Sequence, residues 1–268
     1  MIRKVFLSAI LAGLVAGLLI SAVYQFTTVP LILHAESFED FKGQEKATLG
    51  YPEKSLYPTD HYIIVKASIV PVHGSEEQSP GEAWAPQDGL ERIFYTTVTT
   101  ILTGIGFALL LISGMIMRGD KIDTRRGLLW GAGGFIAFVL APSLGLPPEL
   151  PGMVAGDVLA RQSWWITTAV ASIVGLWLLV FSKKMLYKIL AVVIALTPHL
   201  VGAPHPEALS SNGVPPELAA QFVTVSIAVG GLFWALIGGF SGYFYERLER
   251  TNSWVNHQPA QDLSIFIK

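Results

Sequence analysis

The chain has 268 residues, a mean hydropathy of +0.51 and 14% charged residues, against roughly 25% in soluble domains, so lipid must solvate part of it. The net charge of −2 gives no basic footprint for nucleic acid, and the lack of cysteine excludes disulfides, thiolate metal sites and cysteine nucleophiles. No GxxxxGK(S/T), GxGxxG, GxSxG or HExxH run occurs, which leaves ATP-driven pumping, dinucleotide chemistry and the common hydrolase layouts without sequence support.

A spanning helix needs about 20 mostly apolar residues, and six stretches are candidates: 5–24, 93–117, 127–146, 164–181, 186–201 and 218–243. The expected fold is therefore all-α, a polytopic transmembrane bundle of about six helices. The first stretch follows Arg3 and Lys4 like a signal peptide, but its apolar run outlasts an h-region and no AxA site follows, so it reads as an uncleaved helix. Its Gly13 and Gly17 have the GxxxG spacing that permits close helix contact, as do Gly127 and Gly131; Gly238 and Gly239 form a further small pair. The segment 34–91 carries eleven acidic residues against four lysines and reads as an external acidic loop or small subdomain. Within it, 62–72 is rich in β-branched residues and is a candidate edge strand, while 74–89 reads as a mobile linker. The fifth stretch is marginal for a full crossing, with a re-entrant segment as its alternative, and Pro198 should break or kink its last turn.

Arg3 and Lys4, Arg118 to Arg126, Lys183 to Lys188, and Arg247, Arg250 and Lys268 fall on one side if there are six crossings. By the positive-inside bias that side is cytoplasmic and holds both termini. The organisation read from the chain is an N-terminal spanning helix (1–33), an extracytoplasmic loop or subdomain (34–91), a five-helix bundle (92–245) and a cytoplasmic tail (246–268). An echo links APSLGLPPEL at 141–150 with TPHLVG at 197–202 and PPEL at 215–218, and suggests two similar hairpins, three-four and five-six.

Imidazole and carboxylate suit borderline divalent metals, and five of the six histidines (His34, His61, His73, His199, His205) fall on the external side, with His257 inside. His199 and His205 bracket a Pro/Gly turn, with Glu207 close by, and His34 and Glu36 lie beyond helix one. These five residues form the candidate capture site. The bland alternatives are helix-end anchors for the histidines, caps for Glu149 and Glu217, an Asp157–Arg161 contact, and an aromatic belt for Trp164 and Trp165. Deep in the spans no charged side chain or histidine occurs, only Gln and hydroxyl residues, so proton coupling by this chain alone lacks its usual relay.

The runs VPLILHAE (29–36), WAPQDGLER (84–92), GLLWGAGGF (127–135), APSLGLPPELPG (141–152), RQSWW (161–165) and TPHLVGAPHP (197–206) resemble the CbtA family of cobalt transporter subunits. The resemblance implies a multi-spanning inner-membrane protein that moves Co²⁺ inward as substrate; no permanently bound cofactor is expected, and the external acidic residues show no paired arrangement that would point to an enzyme. It also implies a small single-helix partner, CbtB-like. Many members carry a histidine-rich run before the tryptophan motif, where this chain has only His61 and His73, and the family is often described with five spans. A non-transporting scaffold or accessory subunit is the competing function.

Overall fold

The computed structural model describes residues 2–48, 86–119, 121–205 and 213–256, with the backbone alone for 39–48 and 252–256. The described residues form seven helices and no strand: α1 (Ile2–Phe26), α2 (Thr28–Thr48), α3 (Leu90–Arg118), α4 (Thr124–Ser143), α5 (Val158–Phe181), α6 (Met185–Val201) and α7 (Pro216–Asn256). Five of them, α1, α3, α4, α5 and α7, are long and apolar enough to cross a membrane. The expected strand at 62–72 and most of the acidic linker lie outside the described residues.

Small residues decide the body of the molecule. On α1 the buried positions run Ser8, Ala9, Ala12, Gly13, Ala16, Gly17, Ile20 and Ser21, a four-residue repeat that lays one narrow face against a neighbour. A Cβ on Gly13 or Gly17 would lie within 3.0 Å of the Ile105 or Ile101 backbone, so α1 and α3 meet backbone to backbone. The same device joins α4 to α7, where Gly127, Gly131, Gly238 and Gly242 each sit against backbone of the opposite side. Around these seams Ile20, Ile112, Met115 and Ile237 are fully buried, and Phe138 stacks on Trp234 with ring centroids 5.5 Å apart. Dispersion across tightly approached backbones is what holds helices together where lipid removes most of the hydrophobic incentive. Most other large apolar side chains face outward, as a lipid-solvated protein requires.

Helix ends follow their local chemistry. Asp123 caps α4 by accepting from the Arg126 amide at 2.9 Å, and Asp157 caps α5 by accepting from the Ala160 amide at 2.8 Å. Gly119, at φ 75°, closes α3 by donating to the Ile116 carbonyl. Inside α4 the turn Ile136–Leu140 is a π-helix, directly before Pro142. Proline has no amide to give the Phe138 carbonyl and crowds it, and widening the preceding turn is a known way to absorb that conflict.

Three features depart from the sequence reading. A break at Thr27 is followed by α2, so the chain beyond helix one is helical from Thr28 and crosses the boundary set at 33/34. Likewise α7 runs on past residue 245 to Asn256. The helix α6 passes through Pro198 without ending, and its backbone closes only at Gly202, with φ 91°. At 17 residues it spans about 26 Å. It runs antiparallel to α5, with Gly175 against Ala191 at one level and Trp164 against Pro198 at another, so it reaches the depth of the Trp164 end. The third departure concerns the suggested five-six hairpin: α6 packs on α5, whereas α7 packs on α1 and α4.

Candidate functional site

The two ends of the bundle differ. At one, Lys4 lies 3.6 Å from Glu249 and over the Tyr245 ring, and the Arg118 guanidinium stands 4.6 Å from the centre of the Phe181 ring. This gathers the basic starts and ends of α1, α3, α5 and α7. The opposite end is capped by a second apolar cluster, in which Ala35 of α2 meets Leu150, Val214, Leu218 and Phe222. Both PPEL segments thus insert their leucine into one cluster, which is a packing reason for the echo.

Each expected capture residue has a definite neighbourhood. His34 is exposed, its ring 5.3 Å from that of Phe38. Glu36 is held by Arg92, whose two amino groups donate to its two carboxylate oxygens at 3.1 and 3.2 Å, while the Arg92 Nε contacts Asp88 at 2.9 Å. His199 is half-buried, edge-on to Trp164 at 5.7 Å between ring centroids. His205 is exposed, with its backbone beside Gly156. Glu207 lies outside the described residues. Among the described residues no three His, Asp or Glu side chains stand together in a way that could hold a metal ion.

What the residues near His199 do form is a recess of about 410 Å³ between α5 and α6, lined among others by Ser163, Trp164, Thr167, Thr197 and Pro198. Trp164, buried, fixes its wall: its indole Nε1 donates to the Pro198 carbonyl at 3.1 Å. The hydroxyls of Ser163, Thr167 and Thr197 donate to carbonyls of their own helices at 2.8 to 2.9 Å. A hydroxyl that has given its proton to the backbone keeps its oxygen lone pairs as acceptors. Such oxygens can replace part of a cation's water shell, and a neighbouring imidazole supplies a nitrogen donor suited to Co²⁺, Ni²⁺ or Zn²⁺.

Two further groups were not singled out from sequence in these roles. Arg92, in the WAPQDGLER motif, ties α3 to α2 through Glu36; the partners are 56 residues apart, and no local pattern signals the pairing. Arg161 binds Glu149, so Glu149 is a structural anion for α5 and not a helix cap, while Asp157, read as a possible partner of Arg161, is the cap.

Comparison with known proteins gives one match. The family model described as "Probable cobalt transporter subunit (CbtA)" matches residues 2–246. No curated protein and no solved structure matches the chain significantly. A match over nearly the whole described bundle, on a chain with five apolar helices of spanning length, has a plain consequence: the chain belongs to the CbtA family, the probable cobalt transporter subunits.

Proposed function

We propose that this protein is the membrane-embedded subunit of a Co²⁺ uptake permease, and that the ion meets His199, His205 and His34 on the extracytoplasmic side as successive contacts, since they do not stand together as one coordination shell. Glu36 is occupied by Arg92, so the carboxylate of the capture site comes from Glu207, two residues beyond His205. The observation that carries this reading is the recess next to His199, mostly apolar but with the hydroxyl-bearing Ser163, Thr167 and Thr197 in its lining, in a chain of a cobalt-transporter family. The basic helix ends face the cytoplasm of an inner membrane, and both termini with them, as the clustering of Lys4, Arg118 and Arg247 at one end supports.

The route inward follows α5 and α6. The seam of α1, α3 and α7 is filled by Ile20, Ile112, Met115 and Ile237, all fully buried, and an ion stripped of water in such a medium has nothing to replace its shell. A route on the α5–α6 side is open laterally and needs a second wall, which a small single-helix partner provides. The test is ⁵⁷Co²⁺ uptake into proteoliposomes holding this chain alone and with the single-helix partner. Uptake is expected with the partner and is expected to fall at least fivefold when His199 and His205 are both changed to Ala. Unchanged uptake in that variant would remove the capture site. The absence of charged groups deep in the spans favours one other reading, an accessory subunit that does not conduct. It predicts no uptake under either condition.

A further inference from the structure

A second recess opens at the same end of the molecule, about 440 Å³ in volume and lined by Leu146, Val158, Arg161, Gln162, Trp165 and Ile166. It lies at the seam where the loop after α4 meets α5, and its chemistry is graded along α5. Arg161 and Gln162 stand one helical turn toward the extracytoplasmic end from Trp165 and Ile166. Val158 and Ile166 are 62% and 56% exposed, so the recess opens onto the outer surface of the bundle. Trp165 adds an amphipathic indole of the kind enriched at membrane–water interfaces.

The guanidinium of Arg161 is short of acceptors. It can donate five hydrogen bonds, yet among the described residues its partner is Glu149 through one amino group, and its Nε is buried with no acceptor. That Nε is out of a ligand's reach, but the side chain is 27% exposed and Glu149 takes one of its amino groups, so its remaining amino hydrogens are what a ligand in the recess can meet. Because Glu149 balances the charge, a free anion gains little net attraction here. A ligand that brings acceptor oxygens together with an apolar body gains both. The lining offers a cation no free carboxylate or imidazole, which separates this recess from the one beside His199.

We propose that this recess binds a single phospholipid of the extracytoplasmic leaflet. Its phosphodiester oxygens accept from Arg161 and from the Gln162 amide, and its glycerol and first methylenes lie on Leu146, Trp165 and Ile166. The bound lipid would seal the seam through which α5 and α6 are joined to the rest of the bundle.

The experiment uses the full chain, purified in detergent and stripped of lipid, then titrated with phosphatidylethanolamine and read by native mass spectrometry. One lipid is expected to stay bound at concentrations where others dissociate. Val158→Trp, which fills the recess without touching the ion pair, is expected to lower that occupancy about tenfold, as is the paired change Arg161→Gln with Glu149→Gln. If the paired variant does not fold, Val158→Trp decides alone, its helical content being checked by circular dichroism. Occupancy unchanged in a folded Val158→Trp protein overturns the proposal. So does complete displacement of the lipid by millimolar inorganic phosphate, which would assign the site to a soluble anion.

Discussion

At the end of the bundle that α2 covers, two arginines neutralise two carboxylates, Arg92 with Glu36 and Arg161 with Glu149. Both acids are about two-thirds to three-quarters shielded, so each pair is worth more than an open surface contact, on the order of 1 kcal/mol. Replacing Glu36 by Gln should therefore lower the thermal midpoint of the purified protein by a few degrees and leave cobalt uptake within twofold of normal. Loss of uptake with unchanged stability would return Glu36 to the metal. Trp164→Phe removes the indole bond to the Pro198 carbonyl, but that oxygen keeps the Gly202 amide at 3.1 Å, so the expected cost is also about 1 kcal/mol, seen as a lower midpoint. The contrast between these residues shows where sequence reading stops. His199 and His205 are visible because they flank a Pro/Gly turn within seven residues, whereas Glu36 and Arg92 are joined by a fold that spacing does not encode. Whether a side chain is free or already taken is a property of tertiary neighbours.

Among elements, the glycine seams should be the least tolerant of change. A methyl group on Gly127 or Gly238 would enter the space of the opposite backbone, which cannot rotate out of the way. Gly127→Ala and Gly238→Ala are each expected to destabilise by about 2 kcal/mol or more, measured by unfolding in mixed detergent. Gly106→Ala, at a position with open space around it, is the control and should change little. The spans themselves were readable, because runs of 20 apolar residues have few other meanings, and the GxxxG spacings pointed at faces that do meet. The helix α2 was missed: its apolar positions Leu31, Ile32, Ala35 and Phe38 follow a helical stripe, but Pro30 and the acidic residues that follow disguise it as loop. Pro30 falls in the first turn, where a proline costs nothing. The suggested five-six hairpin fails for the opposite reason: helices adjacent in sequence, α6 and α7, are not packing partners in space.

For the whole molecule, the natural lack of cysteine makes orientation directly measurable. Single cysteines placed at Lys121 and Lys184 should react with an impermeant maleimide only from the cytoplasmic face of inside-out vesicles. Cysteines at Leu144 and Gly202 should react only in right-side-out vesicles. Labelling of Gly202→Cys from the cytoplasmic face would mean that α6 turns back and does not cross. The molecule is also unevenly built: α1, α3, α4 and α7 share the tight seams, while α5 and α6 are attached through aromatic contacts such as Trp130 with Trp177 and Phe138 with Trp165.

The pairing of α4 with α7 means that α4 meets its partner only after the two intervening helices have been made. While the ribosome is still making residues 144 to 215, the glycine strip of α4 faces lipid or a chaperone, and only arrival of α7 covers it. Nascent chains halted before Pro216 should accordingly be cleared by membrane proteases much faster than complete ones, and pulse-chase decay of stop-codon variants would reveal the interval.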